Sequence, residues 1–312
     1  MMDPVALKID VDTHDGMRDG VPALLEILEE FQLKATFCLS FGPDNAGKAI
    51  FRLFRDPEFL KKMIKTGAPR LYGLRTILSG TLLPARPIAS AFPELVRQIE
   101  RHGHEVIVHA WDHRKWQDHL FTMKESDIQI EFNRAFKAFR KILGKSPRAV
   151  AAPGWQVSPA SLAVQDRLEI DYASDLRQGP PCLLCSEGKS FHTLQIPTIG
   201  PCIEELLAIG IKDESRMAEH LLTPLKNNEF PVLALHAEVE GGPFRSFFKG
   251  LIPSLLKAHG FCKTLQEMAR RCLEELEAVE TRELVYISLP GRAGKVASSR
   301  PVRLNFPRHE LS

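Results

Sequence analysis

The chain has 312 residues, is 44% apolar, and carries 41 Lys and Arg against 39 Asp and Glu, a formal net charge of +2. That length suits one large α/β domain or two smaller ones with a substantial core. So small a net charge excludes a nucleic-acid footprint, and no run approaches the roughly 18 apolar residues of a membrane-spanning helix.

The first residues, MMDPVALKIDVDT, lead straight into a strand with no basic n-region and no apolar h-region, so no secretory signal is expected. Six cysteines (38, 182, 185, 202, 262 and 272) are spread through a chain too long to need disulfide staples. Cys182-Leu-Leu-Cys185 has redox-motif spacing, but it follows Gly179-Pro180-Pro181 in an expected loop, so reduced structural thiols are the better reading. A cytosolic protein is expected.

Strand-like and helix-like segments then alternate. Val5–Val11 is an apolar strand that runs into Asp10-Val-Asp12, and residues 21–31 carry a helical period. Strands follow at 35–40, 105–109, 148–152, 170–173, 191–196 and 232–236, and helices at 95–101, 125–143, 217–225, 252–258 and 265–276. Such alternation implies a parallel sheet or a (β/α) barrel. Residues 48–75 hold eight Lys and Arg against two acids, interleaved with apolar residues at helical spacing. Two structures suit that pattern: an amphipathic helix packed on its own barrel, or one lying on an anionic membrane. Residues 290–312, with five Lys and Arg among Pro, Gly and Ser, read as an irregular tail.

The chemistry gathers at strand ends. Asp10 and Asp12 project to one face because side chains two apart do so in a strand, and two adjacent carboxylates repel unless a cation holds them. His109 and His113 have the i, i+4 spacing that lets two imidazoles converge on one ion. One carboxylate with two histidines suits zinc, cobalt, manganese or iron, and the spare carboxylate Asp10 can serve as a base, which makes hydrolysis the leading idea. Trp111 and Trp116 either wall that site or pack the core. His236 ends a late strand, with Glu238 and Glu240 following, where a histidine is structural as often as it is an acid. Pro153-Gly154-Trp155 is a tight turn able to bring N–H groups and an indole to a site. Asp175 and Arg177 either orient other groups or pair with each other.

These motifs resemble the polysaccharide deacetylase (NodB-like, carbohydrate esterase 4) family over about residues 5–270. The resemblance implies a distorted (β/α)7 barrel of the NodB type with a basic amphipathic insertion. Residues 1–276 would form the barrel, the insertion at 48–90 would face a membrane, and 277–312 would be a partly irregular extension. It implies Asp10 as base, Asp12, His109 and His113 as ligands of one divalent ion, and His236 as acid, oriented by Asp175. The family's third motif has an arginine where this chain has Ala151, and Arg177 is the substitute expected to orient Asp10.

The segments GPDNAGK, RLYGLRTILSGT, GHEVIVHAWDHRKWQ, AAPGW, YASDLRQG and LHAEVEG are similar to one branch of that family. Its members remove formyl from a polyprenyl-phosphate-linked 4-formamido-arabinose at the cytoplasmic membrane face, in lipid A modification and polymyxin resistance. That similarity carries Asn45, Tyr72, Trp111, Pro153, Gly154, Trp155, Glu238 and Glu240 over as substrate-binding residues. With a lipid substrate implied, the basic insertion is read as membrane-binding through Lys61, Lys62 and Lys65, and the protein as peripheral on the cytoplasmic face of the inner membrane. No protein partner is expected. An N-deacetylase of another lipid-linked or soluble amino sugar, and a non-catalytic lipid-sugar-binding protein, remain as alternatives.

Overall fold

The computed structural model describes residues 4–48, 75–226 and 228–302. Its strands are β1 (Val5–Val11), β2 (Thr36–Ser40), β3 (Glu105–Ala110), β4 (Ala149–Val150), β5 (Tyr172–Ala173), β6 (Leu183–Ser186), β7 (Lys189–Ser190), β8 (Leu194–Gln195), β9 (Val232–His236), β10 (Cys262–Lys263), β11 (Thr281–Ser288) and β12 (Lys295–Pro301). The α-helices are α1 (Val21–Glu30), α2 (Pro93–Arg101), α3 (His113–His119), α4 (Glu125–Leu143), α5 (Pro159–Gln165), α6 (Ile203–Ala208), α7 (Glu214–Lys226), α8 (Ala237–Glu240), α9 (Arg245–His259) and α10 (Leu265–Glu274).

Seven parallel strands curl into an open barrel in the order β9-β1-β2-β3-β4-β5-β8, and β10 joins β1 at Val5 and Ala6. The backbone N–H of Ile199, just after β8, donates to Val232 O of β9 at 2.9 Å, drawing the two outer strands together. β1 is buried along its whole length, as expected of a parallel strand covered on both faces. Its alternation separates two environments. Val5, Leu7, Ile9 and Val11 join the large apolar cluster shared with the surrounding helices. Ala6 faces inward with Cys38, Ile107, Ala149, Tyr172 and Leu194. Lys8 and Asp10 share that inward parity, so the strand carries a charged pair into the barrel.

α10 packs Leu265, Met268, Ala269 and Cys272 into the inward-facing cluster. Its first N–H groups donate across to the starts of two strands, Leu265 N to Thr36 Oγ1 and Gln266 N to Glu105 Oε2. The opposite, C-terminal end of the barrel is left for the loops that carry Asp12, His109, Ala151, Asp175 and His236.

A second sheet, β12-β11-β6-β7, flanks the β4–β5 side through Ala152, Leu162, Leu176, Cys182, Leu184, Leu284 and Ala297. Two expectations change here. Residues 295–301 form a full strand antiparallel to β11, with Val296 and Ala297 buried, so the expected irregular tail is ordered at least that far. Leu183–Ser186 is a strand parallel to β11 rather than a loop, which separates Cys182 and Cys185. All six cysteines are free thiols, as expected. No helix among the described residues is long and apolar enough to cross a membrane.

Candidate metal centre

Asp12 stands immediately beyond β1, His109 near the end of β3, and His113 opens α3. That helix begins where it does because the Asp112 carboxylate caps it, accepting from Lys115 N at 2.9 Å, and Asn45 Nδ2 holds the same carboxylate at 2.7 Å. The three side chains converge: His109 Nε2 lies 3.2 Å from Asp12 Oδ1, and His113 Nε2 lies 3.2 Å from Asp12 Oδ2. One donor atom from each falls within 4.8 Å of the other two.

The protonation pattern shows what this triad suits. His109 Nδ1 lies 2.8 Å from Ala151 O, and because a carbonyl only accepts, that nitrogen carries the proton. In that tautomer Nε2 presents a lone pair toward a carboxylate oxygen. Both atoms, His109 Nε2 and Asp12 Oδ1, are buried without a hydrogen-bond partner. Two acceptors facing each other in a buried place repel unless a cation lies between them, so these residues fit a divalent ion. Burial opposes ionisation of both Asp12 and His113. His113 nevertheless holds the Asp12 carboxyl well below its usual range, and Asp12 raises the His113 imidazole.

Asp10 lies beside this group and is held by Lys8, whose Nζ is 2.6 Å from each carboxylate oxygen. Lys8 is fully buried. An unpaired ammonium there would cost several kcal/mol, so the two charges are kept by each other. Burial pushes the Asp10 carboxyl up, but Lys8, with His109 and His236 behind it, brings it below its usual range and keeps the group ionised. The orienting cation for Asp10 is therefore Lys8, two residues away on the same strand, and not Arg177 as expected. Arg177 instead forks onto Glu205, at 3.1 Å and 2.9 Å, with its guanidinium 4.4 Å over the Trp155 ring.

His236 also packs near-perpendicular to the Trp155 indole, with ring centroids 6.3 Å apart. Its Nδ1 is 3.1 Å from Glu204 Oε1, the second residue of α6. Burial disfavours the charged imidazole, yet Glu204 overrides it and holds the ring well above its ordinary pKa. Asp175, the expected orienter, is elsewhere: it accepts from Ala152 N at 2.7 Å and Gln165 Nε2 at 2.6 Å, and burial pushes it up to about 6. It thereby fixes the turn after β4, whose Ala151 O receives His109. Cys202, Glu204 and His236 also group within 4.8 Å. Burial pushes the Cys202 thiol up to about 12, so this trio suits an acid–base pair better than an ion.

The remaining expected site residues act at one remove. Glu238 Oε1 accepts from Asp12 N (2.9 Å), Thr13 N (2.7 Å) and Thr13 Oγ1 (2.8 Å), which fixes the backbone carrying the Asp12 carboxylate. Gly16 makes room for it, since a Cβ there would sit 2.1 Å from Glu238 Oε1. Glu240 Oε2 accepts from His236 N at 2.7 Å. Burial raises both carboxyls, to about 7 for Glu238 and about 8 for Glu240. Pro153 and Trp155 are buried, with Gly154 at φ 60° and Trp155 at φ 54° making the turn, so the indole is a wall and not an open stacking platform. Trp111 is half-buried against Gly42. Asn45, nearly buried, is spent on Asp112. Tyr72, Lys61, Lys62 and Lys65 lie outside the described residues. Sequence reasoning missed Lys8, Glu204, Glu205 and Arg292. Only Lys8, a charge at inward parity in an apolar strand, left a signal.

Comparisons with known proteins agree with this geometry. A family profile described as polysaccharide deacetylase matches residues 4–173. A protein of Shewanella sediminis (strain HAW-EB3), described as a probable 4-deoxy-4-formamido-L-arabinose-phosphoundecaprenol deformylase, ArnD, is 36% identical over 248 residues, 80% of each chain. Among solved structures, a Mycobacterium smegmatis protein assigned as a polysaccharide deacetylase superposes with a TM-score of 0.62 at 19% identity, covering 92% of this chain and 95% of its own. A family 4 acetyl xylan esterase of Clostridium thermocellum, in complex with a cobalt ion, gives a TM-score of 0.50 at 16% identity, over 89% of this chain and 93% of that one.

Proposed function

The chain belongs to the polysaccharide deacetylase family, and from that premise we propose that it is a metal-dependent N-deformylase of a polyprenyl-phosphate-linked 4-formamido sugar. The observation that carries the hydrolytic reading is the pair of orphaned acceptors, Asp12 Oδ1 and His109 Nε2, with an ionised carboxylate, Asp10, and a charged imidazole, His236, paired in register on the adjacent strands β1 and β9. Asp12, His109 and His113 would hold one divalent ion, of zinc, cobalt, manganese or iron type. Such an ion supplies Lewis acidity to a water molecule and to the amide carbonyl.

The chain's own residues move the protons. Asp10, kept ionised by Lys8, accepts the proton of the attacking water at its carboxylate. His236, kept charged by Glu204 at Nδ1, has Nε2 left to protonate the departing amine. Base and acid are tuned in opposite directions by separate buried partners, as a two-proton hydrolysis at neutral pH needs. Trp155, buried, meets His236 at 6.3 Å and has Lys8 5.3 Å from its ring centroid, so one indole packs against both sets of partners.

The formamide and its lipid carrier rest on the 36% identical relative named for that activity. A membrane-borne substrate gives the 75–90 segment a use: Leu82 is 82% exposed and Leu83 39%, on a loop whose Gly80 packs against Asn45 beside the metal triad. An apolar tip next to the basic insertion suits an anionic membrane surface on the cytoplasmic face. Flotation with anionic vesicles tests this, and unchanged binding after charge reversal at Lys61, Lys62 and Lys65 would remove the insertion from the account.

Mass spectrometry of formamido- and acetamido-sugar phosphoprenols, before and after incubation with the metal-loaded protein, decides the acyl group. Loss of formyl alone is expected. Loss of acetyl instead would make the protein an N-deacetylase, and loss of neither would leave a binding protein.

A further inference from the structure

We propose that Arg292, in the turn between β11 and β12, is a positioning residue that keeps the Gly154–Trp155 turn and the Glu204-bearing end of α6 aligned with His236. The inference rests on His236 acting as the acid of the proposed hydrolysis. It gives the C-terminal hairpin, which lies outside the parallel barrel, a part in the site.

The turn reaches into the site end of the barrel. Arg292 Nη1 donates to Glu205 Oε1 at 3.2 Å and Nη2 donates to Gly154 O at 3.0 Å, while the guanidinium lies 4.6 Å from the Trp155 ring centroid. One planar group therefore joins three pieces of chain that are distant in sequence, which a point-charge ammonium does not do. Its neighbour Gly291, at φ +75°, lies so close to α6 that a Cβ would sit 2.1 Å from Glu205 O. Behind the turn, Val296, Ile287 and Leu289 pack with Trp155, Cys202 and Ala234. Gln156 Nε2 donates to Lys295 O at 2.8 Å and Tyr286 Oη to Val157 O at 2.9 Å, clamping the chain that leaves the Trp155 turn.

Two routes lead from Arg292 to His236. Glu205 is shared between Arg292 and Arg177 and also accepts from Cys202 N at 3.1 Å, so it anchors the first turn of α6. The residue before it, Glu204, faces His236 Nδ1. Through the other route, Arg292 holds Gly154 O, and the next residue is the Trp155 whose ring edge meets His236. Gly154 and Trp155 both adopt left-handed backbone, which for a tryptophan persists only when its surroundings hold it. Packing the hairpin alone would need neither the fork nor a carboxylate between two guanidiniums, since apolar side chains bury a turn at least as well.

The test is steady-state kinetics of Arg292→Ala, Arg292→Lys and Gly291→Ala on whichever N-acyl sugar the wild-type protein turns over. Absence of wild-type turnover on the formamide bears on the proposed function. The variants bear on this inference. Arg292→Ala is expected to lower kcat about tenfold, within the range that small misplacements of catalytic groups produce, with KM within about twofold. Divalent-ion affinity by calorimetry should not change, because the triad lies on other elements. Gly291→Ala keeps the charge but pushes the turn off α6, and should lower kcat similarly. Arg292→Lys should recover only part of the loss.

An activity-independent readout is the spectrum of the three tryptophan indole N–H groups. Only the Trp155 resonance should move in Arg292→Ala. Wild-type kcat in both alanine variants, a kcat loss that merely follows the folded fraction, or an unmoved Trp155 resonance would each overturn the proposal.

Discussion

At the N-terminal end of the barrel, the carboxylate of Glu105 accepts from Thr36 Oγ1 at 2.6 Å, Tyr172 Oη at 2.7 Å and Gln266 N at 3.0 Å. At the C-terminal end, Asp12 faces two histidines, and one of its oxygens has only another acceptor opposite it. The two groups share a residue class, a parallel sheet and partial burial. They differ in what meets their lone pairs. Donors of the protein complete the first, tying α10 to β2, β3 and β5. In the second, a carboxylate oxygen faces a histidine nitrogen at 3.2 Å. An acid with all its donors present reads as a structural clasp, whereas acceptors facing one another suit a cation between them.

The largest way to break this contrast is at Asp10. Asp10→Asn keeps the shape beside the triad and removes the base, so kcat should fall about a hundredfold or more while calorimetric ion affinity is retained. Near-full activity would remove Asp10 from the chemistry.

Next comes Lys8→Met, which leaves Asp10 buried without its cation and should cost about 3–5 kcal/mol in denaturant unfolding. The sign of the pH effect follows from the pair. Lys8 lowers the Asp10 pKa against a burial effect that raises it, so its loss should move the acid limb of the kcat profile to higher pH. An unmoved limb would show that Asp10 is held ionised by something else.

The smallest effect on catalysis is expected at the other end. Glu105→Gln loses charge-assisted bonds from Thr36 and Tyr172, costing about 1–3 kcal/mol of stability, with kcat and ion affinity at wild-type values. A change in ion affinity would mean that the two ends are coupled.

The same contrast explains what the sequence could and could not show. Val5–Val11, Glu125–Leu143 and Val232–His236 read correctly to the residue, because long buried elements have strong periods or unbroken apolar runs. β4, β5 and β8 shrink to two paired residues each, since a curled sheet leaves its short strands little room to pair. α3 was invisible because HRKWQDH has one buried residue and begins only by virtue of the Asp112 cap. β11 and β12 lie half-exposed on a flanking sheet; β11 shows no clear strand period, and the mixed composition around β12 suggested a tail over 290–312.

In the site, Asp12, His109 and His113 were legible from spacing, as was His236 from its strand end. Their partners were not. Glu204 reaches His236 from 32 positions away, beside Cys202 packed with Ala234 of β9, and Arg292 reaches Gly154 across 138. Arg177 misled because proximity to a motif in sequence said nothing of Glu205, which captures it.

The most direct measurement is formate release from the formamido-sugar phosphoprenol by chelator-treated protein titrated with a divalent ion. The account predicts no release without the ion, a rise that saturates at one ion per chain, and neither binding nor release in Asp12→Asn. Formate release that persists after chelation, or ion binding that survives in Asp12→Asn, would contradict it.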